Sequence, residues 1–182
     1  MRIIGGKFKS RRFYPPADNW PTRPTTDFAK EGLFNMLQNS LDFQDLKVLD
    51  LFGGTGSHGY EFISRGCTDV TYVDKSGGCV AFAQKTAKVL EIEDHMNIYK
   101  NDVFKFIQRN TYQYDYIFAG PPYALPTIDT IPDEIFKHNT LAPDGIFVLE
   151  HTITQEYDKH PNFVKSRKYG ASIFSFFENL ED

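Results

Sequence analysis

The segment Val48-Leu49-Asp50-Leu51-Phe52-Gly53-Gly54-Thr55-Gly56-Ser57-His58-Gly59 constrains the fold more than any other part of this 182-residue chain. A short apolar run that stops at glycines predicts a strand buried on both faces. Gly54, Gly56 and Gly59 then space as G-x-G-x-x-G, a turn that lets backbone close on a ligand before a helix opens. The remainder repeats this alternation. Strands are expected over 48–52, 70–73, 97–100, 114–119 and 146–150, with helices over 57–65, 79–90, 103–109 and 132–138 and Gly66 closing the first of these. Two last segments, 163–167 and 172–177, flank Tyr169-Gly170 and predict an antiparallel hairpin. The pattern is α/β: a mostly parallel seven-stranded sheet, helices on both faces, and a C-terminal antiparallel pair.

Residues 1–24 are expected to form a basic arm, and residues 25–182 a single domain. Gly5-Gly6, Pro15-Pro16 and Pro21 leave little room for a helix in the arm. After Arg23-Pro24, Thr25 and Thr26 both offer N-cap hydroxyls. Ala29, Leu33, Met36 and Leu37 then mark the apolar face of a helix ending near Ser40. The net charge of −4 argues against a polyanionic partner, but residues 1–30 hold seven cations against Asp18 and Asp27, so +5 stands before a body of −9. Such an arm can draw a polyanion to one face, with Lys7, Lys9, Arg11, Arg12 and Arg23 the candidate phosphate contacts.

Hydrophobic residues at 41% and charged ones at 24% describe an ordinary globular chain. No apolar run reaches the ~18 residues of a membrane span, and the basic amino terminus does not read as a secretory signal. Cys67 and Cys79 lack metal-ligand spacing. A cytoplasmic protein with no membrane contact, no metal and no obligate protein partner is expected.

Three acids, Asp50, Asp74 and Asp102, close three successive expected strands and open on one sheet edge, where ligands of such folds bind. Asp74, 18 residues beyond Gly56, suits a ribose hydroxyl, and Asp102 either an adenine amino group or a helix N-cap. A pyrophosphate at the helix amino terminus would be repelled by Asp50. S-adenosylmethionine carries no phosphate and presents an ammonium and a sulfonium, so Asp50, with glycines that allow close backbone approach, suits it better.

Gly120-Pro121-Pro122-Tyr123 follows the fourth strand. Two prolines fix the backbone so that a carbonyl can accept from an exocyclic amine, while the Tyr123 ring stacks on a base. An amine conjugated to a base is a poor nucleophile, so orientation against the methyl donor must carry most of the catalysis. The base must be single-stranded or leave its stack.

These residues look like the class I methyltransferase pattern, with its Rossmann-like fold. The segments MRIIGGKFKSRRF at the start, RPTTDFAKEGLFNML at 23–37, VLDLFGGTGSHGYEFISRG at 48–66 and YDYIFAGPPYAL at 114–125 more closely resemble the RsmD-type 16S rRNA (guanine-N2)-methyltransferases. The resemblance implies methyl transfer from S-adenosylmethionine to the exocyclic amine of one guanine in 16S rRNA, within a partly assembled 30S subunit. It also implies that Asp50, Phe52, Gly53, Gly54, Gly56, Asp74 and Asp102 hold the cofactor and that Gly120 to Tyr123 form the target-base site. One residue departs: the family has Asp or Asn where this chain has Gly120. Loss of that acceptor predicts a cost of roughly 2–4 kcal/mol in the transition state, or about 30- to 1,000-fold in rate. Three other readings compete: a lapsed RNA-binding or assembly factor that keeps its cofactor, an adenine-N6 methyltransferase, and an NAD-dependent oxidoreductase resting on the glycines alone.

Overall fold

The computed structural model of the chain describes residues 1–16, 20–21 and 23–181; residues 17–19, 22 and 182, the first four within the expected arm, lie outside the described residues. The strands are β1 (Lys47–Leu51), β2 (Asp69–Asp74), β3 (Met96–Lys100), β4 (Tyr114–Ala119), β5 (Leu141–His151), β6 (Phe163–Tyr169) and β7 (Ser172–Phe177). The helices are α1 (Asp27–Ser40), α2 (Ser57–Ser64), α3 (Gly77–Leu90), α4 (Val103–Arg109) and α5 (Ile131–Lys137). One seven-stranded sheet results, in the order β3-β2-β1-β4-β5-β7-β6, parallel except where β7 joins β5 and β6. The strand order reverses between β1 and β4. That reversal opens a crevice at their carboxyl ends.

Alternation along the strands divides the core into two layers. Val48, Tyr116 and Val148 face α1, α2 and α3, while Leu49, Ile117, Phe147 and Leu149 face α4 and α5. By the same alternation Asp50 points to the α2 side, beneath the helix that the glycine turn begins.

Two features differ from expectation for physical reasons. Pro143-Asp144-Gly145 lies inside β5, because Leu141 already pairs with Tyr114 and a bulge absorbs the turn-like residues before Ile146 pairs with Tyr116. On α1 the buried face is Ala29, Lys30, Leu33, Phe34 and Leu37, and Met36 is only half-buried. Phe34 meets Phe43 and Phe62 edge-on, and this aromatic cluster turns the helix away from the simplest apolar stripe.

The amino-terminal segment doubles back instead of running out. Ile3 N–H donates to Arg11 C=O at 3.0 Å, Phe13 N–H to Met1 C=O at 3.0 Å, and Arg2 bridges Arg12. Ile3 is fully buried among α1 and α2. The amides of Ile4 and Gly5 donate to the carboxylate of Glu61 at 2.8 and 2.9 Å, and Lys7 N–H caps Ser64 C=O at 2.7 Å. Glu61 also pairs with buried Lys30 at 3.3 Å and with Arg65 at 3.0 Å.

Candidate active site

The crevice at the β1/β4 reversal is a pocket lined by the glycine turn, the ends of β1, β2, β4 and β5, and residues 120–123. Gly53 must lack a side chain, because a Cβ there would overlap the Tyr72 ring. Gly56 sits at φ +82° as the N-cap of α2, a conformation that suits glycine. Tyr72 Oη donates to Gly54 C=O at 2.7 Å, and Asp74 accepts from Gly54 N–H at 2.9 Å and Ser76 N–H at 2.8 Å. The turn is therefore held from both sides before any ligand arrives. Phe52 leaves β1 at φ +57°, with its ring edge-on to Phe104, and both line the pocket.

Asp50 is 1% exposed, and its Oδ2 has no hydrogen-bond partner among the described residues. Burial pushes its carboxyl well above the ordinary carboxylate range; the nearby Gly59 amide offsets part of this, and Asp74 adds to it. Asp50 also lines the pocket, and a buried acceptor without a partner is a place for an incoming donor. Asp102, on the pocket's other rim, caps α4 by accepting from Lys105 N–H at 3.0 Å through Oδ1.

Across the pocket, Gly120 N–H is tied to Leu51 C=O at 3.3 Å and Pro122 C=O accepts from Leu125 N–H at 3.0 Å. The Pro122 carbonyl is thus spent in a turn. Tyr123 Oη donates to Glu150 Oε1 at 2.8 Å, and the Arg23 guanidinium lies over the Tyr123 ring, 4.7 Å from its centre. Burial, with the Glu150 carboxylate next in order, pushes the Tyr123 phenol up to about 12.

Of the five candidate phosphate contacts, Arg23 lines the pocket. Lys7, Lys9, Arg11 and Arg12 are exposed on the folded-back amino-terminal segment. Lys7 lies beside Ser64, at the far end of α2 from the glycine turn, some 10 Å along the helix axis.

Several pocket residues escaped the sequence reading. Glu150, the penultimate residue of β5, is buried with Tyr123, Ser172 and Thr25 donating to it. Thr25 is therefore turned inward, and Thr26 alone caps α1, accepting from Ala29 N–H at 3.2 Å. His58 stacks on Phe118 with ring centres 3.7 Å apart and planes 7° off parallel, and its Nε2 lies 3.0 Å from Tyr116 Oη. Burial holds this imidazole well below its usual pKa, hence neutral. It forms part of the pocket wall and also packs in the core. The strand-end position of Glu150 was the one signal in the sequence that could have marked it.

Residues 1–178 match the family described as Conserved hypothetical protein 95. The chain is similar to the Bacillus subtilis (strain 168) protein YlbH, 34% identical over 155 residues, covering 83% of this chain and 82% of that protein. It is 27% identical over 186 residues to the Ribosomal RNA small subunit methyltransferase D of Buchnera aphidicola subsp. Baizongia pistaciae, covering 100% and 93% of the two. The solved structure of Escherichia coli yhhF shares the fold with a TM-score of 0.83 at 22% identity, over 99% of each chain. With its sheet order, glycine turn and sequence match in agreement, the chain belongs to the Conserved hypothetical protein 95 family, the RsmD-type methyltransferases.

Proposed function

We propose that this protein transfers the methyl group of S-adenosylmethionine to the exocyclic N2 amine of one guanine in 16S rRNA, presented by a partly assembled 30S subunit in the cytoplasm. The observation that carries this reading is the shared pocket: the glycine turn with Asp50 and Asp74 lies opposite Gly120 to Tyr123. Relatives named Ribosomal RNA small subunit methyltransferase D support the substrate class. Among the described residues no helix is long and apolar enough to cross a membrane.

The residues present fit the cofactor. Asp50 Oδ2 would accept from its ammonium, and the backbone of Gly53, Gly54 and Gly56 would lie along its amino-acid part. The second acceptor site on each Asp74 oxygen would serve the ribose. The Asp102 oxygen not used for capping would take the adenine amine, with Phe52 beside the ring. When bound, the sulfonium supplies an electrophilic methyl group. This chain's own task is to orient the nitrogen and exclude water. Gly120 and Pro121 present carbonyls to the base, and the Tyr123 ring is its stacking platform once Arg23 moves or on the face that Arg23 leaves open. Residues 1–24 act as the RNA-gripping arm, with Lys7, Lys9, Arg11 and Arg12 on phosphates.

The test is transfer of labelled methyl to undermethylated 30S particles, free 16S rRNA and duplex DNA. Label in guanine N2 of 16S rRNA is expected; label confined to adenine would favour N6 chemistry, and none in any substrate would favour a lapsed binder. Titration with S-adenosylhomocysteine and with NAD checks the cofactor separately, with binding expected for the first alone.

A further inference from the structure

Gly120 cannot offer a side-chain acceptor, yet a carboxylate stands beside it. Ala119 and Leu149 are register partners across β4 and β5, so Gly120, the residue after β4, lies beside Glu150 of β5. Both are on the face that carries Asp50, since Asp50 pairs with Phe118, two residues before Gly120. A Cβ built on Gly120 would lie 3.7 Å from Glu150 Oε2 and 3.0 Å from Phe118 Cε1. The space that a longer residue at 120 would enter is bounded by the Glu150 carboxylate.

Glu150 is 4% exposed and lines the pocket. An ionised carboxylate has about four acceptor sites, two on each oxygen. Tyr123 and Ser172 both donate to Oε1, at 2.8 and 3.2 Å, and Thr25 donates to Oε2. The site left over belongs to Oε2, the oxygen that faces Gly120. No cation forms a salt bridge with Glu150 among the described residues. That open acceptor site can be filled when the substrate brings the donor.

We propose that Glu150 does the work of the side chain missing at Gly120: Oε2 accepts a hydrogen bond from the exocyclic amine of the target base and takes up the proton that the nitrogen loses. The inference rests on the amine methylation proposed above. The nitrogen lone pair forms the new N–C bond while the methyl–sulfur bond breaks, its electron pair staying on sulfur. One N–H proton then passes to Oε2 and on to water. Thr25, Tyr123 and Ser172 are positioning residues that hold the carboxylate in place.

The test compares kcat, KM and S-adenosylhomocysteine affinity of the wild type and four variants on undermethylated 30S particles. Glu150→Gln should lower kcat about 30- to 1,000-fold while cofactor affinity and melting temperature stay near wild type. Tyr123→Phe removes one anchor but keeps the carboxylate, so its loss in kcat should stay under about tenfold. Gly120→Asp in the Glu150→Gln background should recover at least tenfold of the lost rate. Gly120→Asp alone should gain nothing, since the acceptor is already present and the new side chain crowds Phe118. Glu150→Gln within threefold of wild type would overturn the inference while leaving the methyltransferase reading intact. So would Tyr123→Phe losing as much as Glu150→Gln, or a tenfold gain from Gly120→Asp with Glu150 in place. That last comparison stands even if the Glu150 variants fold poorly. Wild-type protein that methylates no nucleic acid would instead overturn the underlying reading, and this inference with it.

Discussion

At the scale of single residues, Asp50 and Glu150 are both carboxylates sunk in the pocket wall, and their surroundings separate them. Glu150 is held by three hydroxyls, whereas Asp50 keeps Oδ2 without a partner among the described residues. Burial sets the folded-state pKa of Asp50 well above its ordinary 3.8, so the folded chain binds that proton more tightly than the unfolded one. The stability it contributes is fully present below 3.8 and is lost as pH rises through the folded value. Asp50→Asn should flatten this part of the stability–pH curve, as read by urea denaturation between about pH 4 and pH 8. The same substitution should weaken S-adenosylhomocysteine binding roughly 10- to 100-fold by calorimetry, the worth of one hydrogen bond to a charged group. A variant that binds as tightly as wild type would remove Asp50 from the cofactor site. Asp50 was legible in sequence because an acid interrupting a buried apolar run just before glycines has few other reasons to be there. Glu150 was not, since what makes it notable is β5 lying next to β4 and Thr25 reaching across from 125 residues away.

At the scale of elements, α2 joins the site to the amino-terminal segment. Its first residue, Ser57, lines the pocket, and its Glu61 receives the amides of Ile4 and Gly5 together with Lys30 and Arg65. Glu61→Ala would strand the Lys30 ammonium, 1% exposed, without its counter-charge. Breaking such a pair from one side costs about 3–5 kcal/mol, or about 10 °C in melting temperature for a chain of this size. Calorimetric scanning reads this directly, and a fall of only a degree or two would show that the network contributes little. The alternation of strands and helices could be read from local pattern because each element repeats its own period. The folding back of residues 1–13 could not, because its cause is a glutamate 57 residues from Ile4. The bulge within β5 was hidden for a similar reason: Pro143-Asp144-Gly145 has the chemistry of a turn, and only pairing with β4 draws it into the strand.

Over the whole molecule, charge and pocket are arranged on different terms. Lys30 counts toward the basic amino-terminal segment in sequence, yet it is buried against Glu61. Arg2 pairs with Asp27 at 3.1 Å. Lys7, Lys9, Arg11 and Arg12 remain exposed, on a chain whose net charge is −4. Replacing Arg11 and Arg12 together by Ala should weaken binding to 30S particles and lower the slope of log K against log salt by about 1.4–1.8, if each meets one phosphate. An unchanged slope would place the RNA elsewhere on the surface. The central claim joins both halves of the pocket: methyl donor at the glycine turn, amine at Gly120 to Tyr123 and Glu150. Mass-spectrometric mapping of 16S rRNA after incubation of undermethylated 30S particles with purified protein and S-adenosylmethionine tests it most directly. A single guanine carrying one methyl on N2 is the predicted product. Methylation on a ring carbon or a ribose hydroxyl, or no modified nucleotide at all, would contradict it.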